Sequence, residues 1–410
     1  MFADSVTAVV PRRGPGSPAT RKRALRFVLL IGALSFFADF TYEGSRGIVG
    51  PYLGLLGASA TIIGIVAGFG ELLGYGLRVV SGRLSERTGE FWPITIIGYV
   101  VQMASVPLLA FAPSWELAAV LVVLERMGKA IRNPPRDVML SHAAKEMGGL
   151  GWAFGVHEAL DQSGALVGPL VVAAVLAAHD DYRTAFAMLV VPALLNLTIL
   201  TVARLSYPRP EDLESTPPDV TASGLPRAFW TYLLGAVLIA AGFADFPLIA
   251  FHLERTAAVP PNWIPVFYAI AMAVSGAGSL AFGHLFDRYG ITVLVPLTLV
   301  SALFAPLVFL GGFSAALVGM ALWGLGVGVH ESVIPAAVGS MVPPQRRPSA
   351  YGLFTAGYGL FWFLGSALIG FLYDVWLPAL IAFSLVAQLA AIPLFLRVRR
   401  RAPAPSLTRS

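Results

Sequence analysis

The stretch from Phe27 to Pro51, FVLLIGALSFFADFTYEGSRGIVGP, decides the fold. It is longer than the roughly 20 mostly apolar residues that a helix needs to cross a bilayer. Yet it carries Asp39, Glu43 and Arg46. A charge at mid-bilayer costs roughly 2.5–3.5 kcal/mol on insertion scales. The three residues fall at i, i+4 and i+7, hence on one helical face. That face is expected to line a cavity rather than lipid.

The rest of the chain repeats this pattern. Of its 410 residues, 57% are hydrophobic and 12% charged, and the mean hydropathy is +0.75. A soluble chain carries about 25% charged residues, and a disordered one is not this apolar. Twelve apolar stretches stand out: 27–51, 59–82, 93–112, 115–133, 151–178 and 184–204, then 228–252, 263–285, 292–312, 315–341, 350–373 and 376–396. Hydrocarbon offers no partner to an open strand edge, so spans must be helices or a closed barrel. These stretches are too long and continuous for barrel strands of about 10 residues. The expectation is an all-α integral membrane protein with twelve transmembrane helices.

Charge sets the orientation. Twenty-two Lys and Arg residues collect at one set of span ends, and only Arg183 and Arg255 lie at the other. Basic loops stay in the cytoplasm, so both termini are expected there, in a multi-pass protein of the cytoplasmic membrane. The formal net charge of +5 is then topological and lipid-facing. No basic face with interleaved exposed aromatics suggests nucleic acid. The basic N-terminus leads into a full-length span, unlike a cleavable signal peptide. Residues 1–24 and 398–410 read as basic, disordered tails. Residues 205–227, the longest polar stretch between spans, read as a cytoplasmic linker. They separate two six-helix groups, 25–204 and 228–397.

Those groups repeat each other. Phe37-Ala38-Asp39-Phe40 in the first span returns as Phe243-Ala244-Asp245-Phe246 in the seventh. Gly82-Arg83-Leu84-Ser85-Glu86-Arg87-Thr88-Gly89, after the second span, returns as Gly283-His284-Leu285-Phe286-Asp287-Arg288-Tyr289-Gly290 after the eighth. Two pseudo-symmetric six-helix bundles around a midplane cavity are an architecture of rocking transporters. On these motifs the chain resembles the major facilitator superfamily. Glu125-Arg126-Met127-Gly128-Lys129-Ala130-Ile131-Arg132 with Pro135-Arg136-Asp137 is similar to a bacterial branch of efflux-type permeases, as is Gly151-Trp152-Ala153-Phe154-Gly155-Val156-His157-Glu158-Ala159-Leu160-Asp161. The resemblance implies a transporter, without a defined substrate.

The duplicated loop is a candidate cytoplasmic gate: Gly82, Glu86, Arg87 and Gly89 in one copy, Asp287, Arg288 and Gly290 in the other. Its acid can face a helix N-terminus or an Arg and latch the halves; the alternative is a solvated basic turn. Glu90-Phe91 stand where the family usually has paired basic residues. Arg132, Arg136 and Asp137 are assigned to the same gate, with Pro134-Pro135 breaking the fourth helix.

Asp39, Glu43 and Arg46 are proton-coupling or substrate candidates, Glu43 and Arg46 forming a pair; a structural ion pair is the alternative. Asp245, the repeat partner of Asp39, and Glu331 have no cation nearby in their own spans and join the list. So do His157, Glu158 and Asp161, with His157 and Asp161 at hydrogen-bonding spacing. His157-Glu158-x-x-Asp161 lacks the second His and third ligand of a zinc-protease helix, so no metal site is expected. Gly164, Gly168 and Pro169 form a packing motif or a hinge; in the family a related pattern accompanies exporters. The absence of Cys excludes thiolate chemistry, and no phosphate-binding loop is present for ATP.

The combined expectation is a secondary transporter and not an enzyme. It uses no cofactor, is driven by a proton gradient, and exports a small solute by alternating access as a monomer in the lipid bilayer. The rival is a proton-coupled importer or uniporter of a nutrient such as a sugar or organic acid.

Overall fold

The computed structural model describes residues 18–146, 150–208, 224–342 and 346–401. The tail and linker segments 1–17, 209–223 and 402–410 lie outside the described residues. All regular elements among the described residues are helical. The first bundle contains α1 (Pro18–Leu55), α2 (Ala60–Thr88), α3 (Phe91–Leu108), α4 (Trp115–Glu146) and α5 (Leu150–His179). Its sixth span is divided into α6 (Tyr182–Met188) and α7 (Val190–Ser206). The second bundle begins with another divided span, α8 (Arg227–Gly242) and α9 (Phe246–Arg255), followed by α10 (Ile264–Tyr289). Next come α11 (Leu294–Ala302) with α12 (Phe304–Leu310), and α13 (Phe313–Gly328) with α14 (Ile334–Met341). Finally α15 (Arg347–Val375) and α16 (Leu377–Arg401) complete it.

Ten stretches among the described residues are long and apolar enough to cross a membrane. One of them, Pro261–Leu310, is 50 residues long and divided into α10, α11 and α12, more than one crossing needs. The charges of α4 keep that helix below the apolar threshold, although it packs along α2 and α3. The result is the expected all-α membrane fold of two bundles.

Three local expectations are corrected. α1 begins at Pro18 and α16 runs to Arg401, so parts of both supposed tails are helical. Pro134-Pro135 do not break α4, which continues to Glu146. Pro134 has no N–H to give the Ala130 carbonyl four residues back. Ser81 of α2 donates to that oxygen at 3.2 Å instead. Conversely, the continuous span expected over 228–252 is broken at Phe243–Asp245. The carbonyls released there find donors in neighbouring helices, as interrupted membrane helices require. Gly242 O accepts from Ser384 Oγ at 2.6 Å, and Ala244 O accepts from Trp323 Nε1 at 2.9 Å.

The bundles close on each other at the end remote from the chain termini. There Gly50 of α1 lies against the backbone of Pro247, and Gly54 against the Phe251 ring. Asp374, at the end of α15, accepts hydrogen bonds from Ala60 N at 3.2 Å and Thr61 N at 2.8 Å. α2 and α15 thus remain joined across the bundles. At mid-depth, toward the terminal end, Glu158 of α5 and Glu331 between α13 and α14 are exposed. The molecule is therefore sealed at its far end.

Candidate functional site

The site grows from two facing helices. α1 presents Ser35, Asp39, Glu43 and Arg46 in a stripe, and α4 presents Glu125, Lys129, Arg132 and Arg136 at the same helical spacing. Each stripe sits on a helix interior, where unpaired charges would be costly. Cross-pairing resolves this. Asp39 lies 3.5 Å from Lys129 Nζ and 3.4 Å from Arg132. Glu43 lies 3.9 Å from the same lysine.

Arg132 has no solvent exposure. Its Nε donates to Gln102 Oε1 at 2.6 Å, and its Nη1 donates to Tyr99 OH at 3.0 Å. Gln102 in turn donates to Glu125 at 3.1 Å. Arg132 was expected at the gate, and it is instead the buried anchor of this network. Gln102 and Tyr99 were missed; both are polar positions three apart in the apolar third span, and that spacing marks a shared face.

The expected Glu43–Arg46 pair does not form. Arg46 lies 3.5 Å from Glu71 and 4.0 Å from Asp245 of the second bundle, and Arg126 reaches Glu71 at 2.8 Å. Glu43 accepts a short hydrogen bond from Tyr268 of α10 instead. Two residues of α1 are thus tied across the bundle interface. Tyr42 places its ring under three cations: Lys129 at 4.0 Å, Arg126 at 4.8 Å and Arg46 at 5.9 Å. Tyr42, Arg46, Glu125, Arg126 and Pro247 help to line a small cavity, with room for about one water molecule.

Asp245 sits at the break between α8 and α9. Trp362 Nε1 donates to it at 3.0 Å and Ser366 Oγ at 2.5 Å. Its pseudo-symmetric counterpart Asp39 keeps company with cations. The repeat therefore conserves the acid while its partners differ.

His157 does not pair with Asp161. Its Nε2 lies 2.7 Å from Ser35 Oγ, which also accepts from Arg136 at 3.1 Å. Arg136 further grips Asp137 at 2.7 Å, so both belong to the core's edge near His157. Asp161 lies within electrostatic reach of Asp39, and its Oδ1 is buried without a hydrogen-bond partner. Two neighbouring carboxylates repel each other when both are charged, so such a pair favours a proton on one of them. Glu158 accepts from Gln162 at 3.0 Å. Glu331 lies on a π-helical turn, Val329–Val333, a distortion that often marks functional positions.

The loop residues Glu86, Arg87, Asp287 and Arg288 are exposed and form no ion pair among the described residues. Gly82 and Gly283 have open space or distant neighbours. Gly89 and Gly290 do end their helices, with φ of +73° and +60°. Gly164 and Gly168 bring α5 onto α1: a Cβ on either would stand 2.2 Å from the carbonyl oxygens of Phe36 and Phe40. Pro169 is accommodated within α5. Among the described residues, no cluster of three His, Asp or Glu is arranged to hold a metal.

The Major Facilitator Superfamily profile matches residues 28–329 and 262–410. The chain belongs to that superfamily. It is therefore a secondary transporter of the membrane rather than an enzyme, and it acts on a small molecule. "Uncharacterized protein Rv2265" of Mycobacterium tuberculosis (strain ATCC 25618 / H37Rv) is 40% identical over 390 residues, spanning 93% of this chain and 95% of that one. "Multidrug resistance protein MdtH" of Photorhabdus laumondii is 24% identical over 367 residues, 86% of each chain. A bacterial homolog of the human lysosomal transporter Spinster, solved in an inward-facing and unoccupied conformation, superposes with a TM-score of 0.69. Its identity is 15%, with 95% of this chain and 100% of that one covered.

Proposed function

We propose that the chain is a proton-coupled antiporter that exports a small solute by alternating access. The feature that carries this reading is the pair of acids Asp39 and Asp161, interacting across α1 and α5, with Lys129 and Arg132 beside Asp39. A proton taken up by one of these acids relieves their mutual repulsion, and its loss changes how Asp39 competes for Lys129. Because Lys129 also faces Glu43, which Tyr268 ties to the other bundle, proton loss is felt at the interface that must open. One elementary charge crossing 100 mV supplies about 2.3 kcal/mol, enough to bias such a two-state bundle. Export is favoured by the similarity to a multidrug resistance protein and by the small-residue motif of α5.

In this reading the termini are cytoplasmic, following the basic loops, and the open end faces the cytoplasm. The chain works as a monomer, needs no cofactor beyond the proton gradient, and has no nucleic-acid partner. Glu86 and Asp287 engage as latches when the terminal end closes.

The test is solute flux in proteoliposomes under an imposed pH gradient. Asp39→Asn and Asp161→Asn should abolish gradient-driven flux while leaving solute exchange. Flux down the solute gradient that ignores pH in the wild type would overturn proton coupling and leave a uniporter.

A further inference from the structure

Beyond the far-end seal lies a cavity of about 420 Å³ whose wall comes from both bundles. That volume falls within the range of about 300–1,000 Å³ usual for small-molecule sites. Pro51 and Leu55 of α1 and Tyr182 of α6 line it from the first bundle, and Phe251, Glu254 and Arg255 of α9 from the second. Leu55 and Arg255 are exposed, so the cavity opens on the side opposite the chain termini, away from the central network.

Three of those side chains lack partners. Tyr182 Oη and Glu254 Oε2 are both buried without a hydrogen bond, although the two residues lie within electrostatic reach of each other. A buried polar atom left in that condition costs about 1–3 kcal/mol. Arg255 holds its guanidinium 5.6 Å from the centre of the Phe251 ring and forms no ion pair among the described residues. It does not pair with Glu254, because consecutive positions on a helix diverge by about 100°. Asp180, also within electrostatic reach of Glu254, adds a second negative charge nearby. Asp181 is already engaged, capping α6 through Arg183 N and Thr184 N. A lone cation in the cavity would meet Arg255, and a lone anion would meet Glu254. A ligand carrying both charges matches both walls.

We propose that this cavity is a second ligand site, separate from the central network, for a short zwitterion with an apolar side chain, namely an apolar α-amino acid. Its ammonium donates to Glu254 Oε2 and Tyr182 Oη, which can both accept. Its carboxylate meets Arg255, and its side chain lies on Pro51, Leu55 and Phe251. Hydrogen bonds of ionised groups are the stronger kind. Because α1 and α6 supply one wall and α9 the other, the site is complete only while the far end is closed. An occupant bridges the bundles and favours the closed state by its differential affinity. It acts as a brake on far-end opening. The site depends neither on proton coupling nor on the direction of transport.

The probe is L-leucine, with the purified full chain in detergent and equilibrium dialysis as the readout. Saturable binding is expected. 3-Methylbutylamine lacks its carboxylate and 4-methylpentanoate lacks its ammonium, so each should displace it far less well than leucine itself. Glu254→Gln and Arg255→Gln should each weaken binding by about tenfold, equivalent to about 1.4 kcal/mol. Arg255 is exposed, so its variant is expected to fold whatever the binding result. Glu116→Gln, an exposed position on α4 near the far end, should leave binding unchanged. Gly50→Ala lies outside the cavity wall and drives α1 away from Pro247; it should weaken binding by separating the two walls. The proposal is overturned if leucine does not bind saturably, if either singly charged analogue displaces it equally well, if Glu254→Gln and Arg255→Gln bind like the wild type, or if Glu116→Gln loses as much as they do. Wild-type binding by Gly50→Ala would overturn the bridging of the bundles.

Discussion

Arg132 reaches Asp39 at 3.4 Å from a position with no solvent exposure. Breaking a buried pair by removing one partner costs about 3–5 kcal/mol, because the remaining charge is stranded. Arg132→Met is therefore expected to destabilise the protein by about that amount, with Tyr99 and Gln102 also losing their donor. Asp39→Asn should cost less, since Arg132 keeps its bonds to Gln102 and Tyr99 and Lys129 retains Glu43. The double variant should recover part of the loss. Thermal unfolding in detergent measures all three; equal losses for the two single variants would show that Arg132 is not the anchor.

Asp374 closes the far end by a different device. It receives the first amides of α2 from the end of α15, where a helix N-terminus favours negative charge. The Ala60 and Thr61 amides, and the Thr61 hydroxyl at 2.7 Å, make it an interdomain cap. Losing a cap costs about 0.5–2 kcal/mol, and here that cost falls only on the state closed at the far end. Asp374→Ala should thus shift the population toward opening there. The chain has no Cys, so a single Ala60→Cys, at a fully buried position where α2 meets α15, can report by reaction with an impermeant maleimide. Faster labelling in the Asp374→Ala background is expected; an unchanged rate would show that the cap does not hold the closed state.

The bundles, their helices and the candidate acids are legible in the sequence because each follows from one-dimensional facts: apolar length, charge spacing and the duplicated Phe-Ala-Asp-Phe. Partner choice is not. Glu43 and Arg46 are close on one helix, yet Tyr268 and Glu71 outbid that pairing because they approach from other helices with better geometry. Arg132 reads as part of a basic cytoplasmic end until α3 supplies Tyr99 and Gln102 and turns it inward. Pro134 reads as a helix breaker because no local pattern reveals Ser81 on α2. The break at Phe243–Asp245 left a local trace in Pro247, the second residue of the short helix after it.

Gly50 and Gly168 separate folding from rocking. Both lack room for a side chain, but against different neighbours. A Cβ on Gly168 would stand 2.2 Å from Phe40 O within the first bundle. That contact persists as the bundles rock, and backbone on both sides cannot yield without moving a helix. Overpacking of this kind costs about 1–3 kcal/mol or more, so Gly168→Ala should lower thermal stability. A Cβ on Gly50 would stand 1.8 Å from Pro247 O, across the interface. Moving the bundles apart relieves that clash with no loss inside either one. Gly50→Ala should accordingly keep near wild-type stability while accelerating maleimide labelling at Ala60→Cys. The two variants therefore trade places on the two readouts. If Gly50→Ala unfolded the protein without raising labelling, the far-end contact would be part of a rigid core rather than a closure that opens.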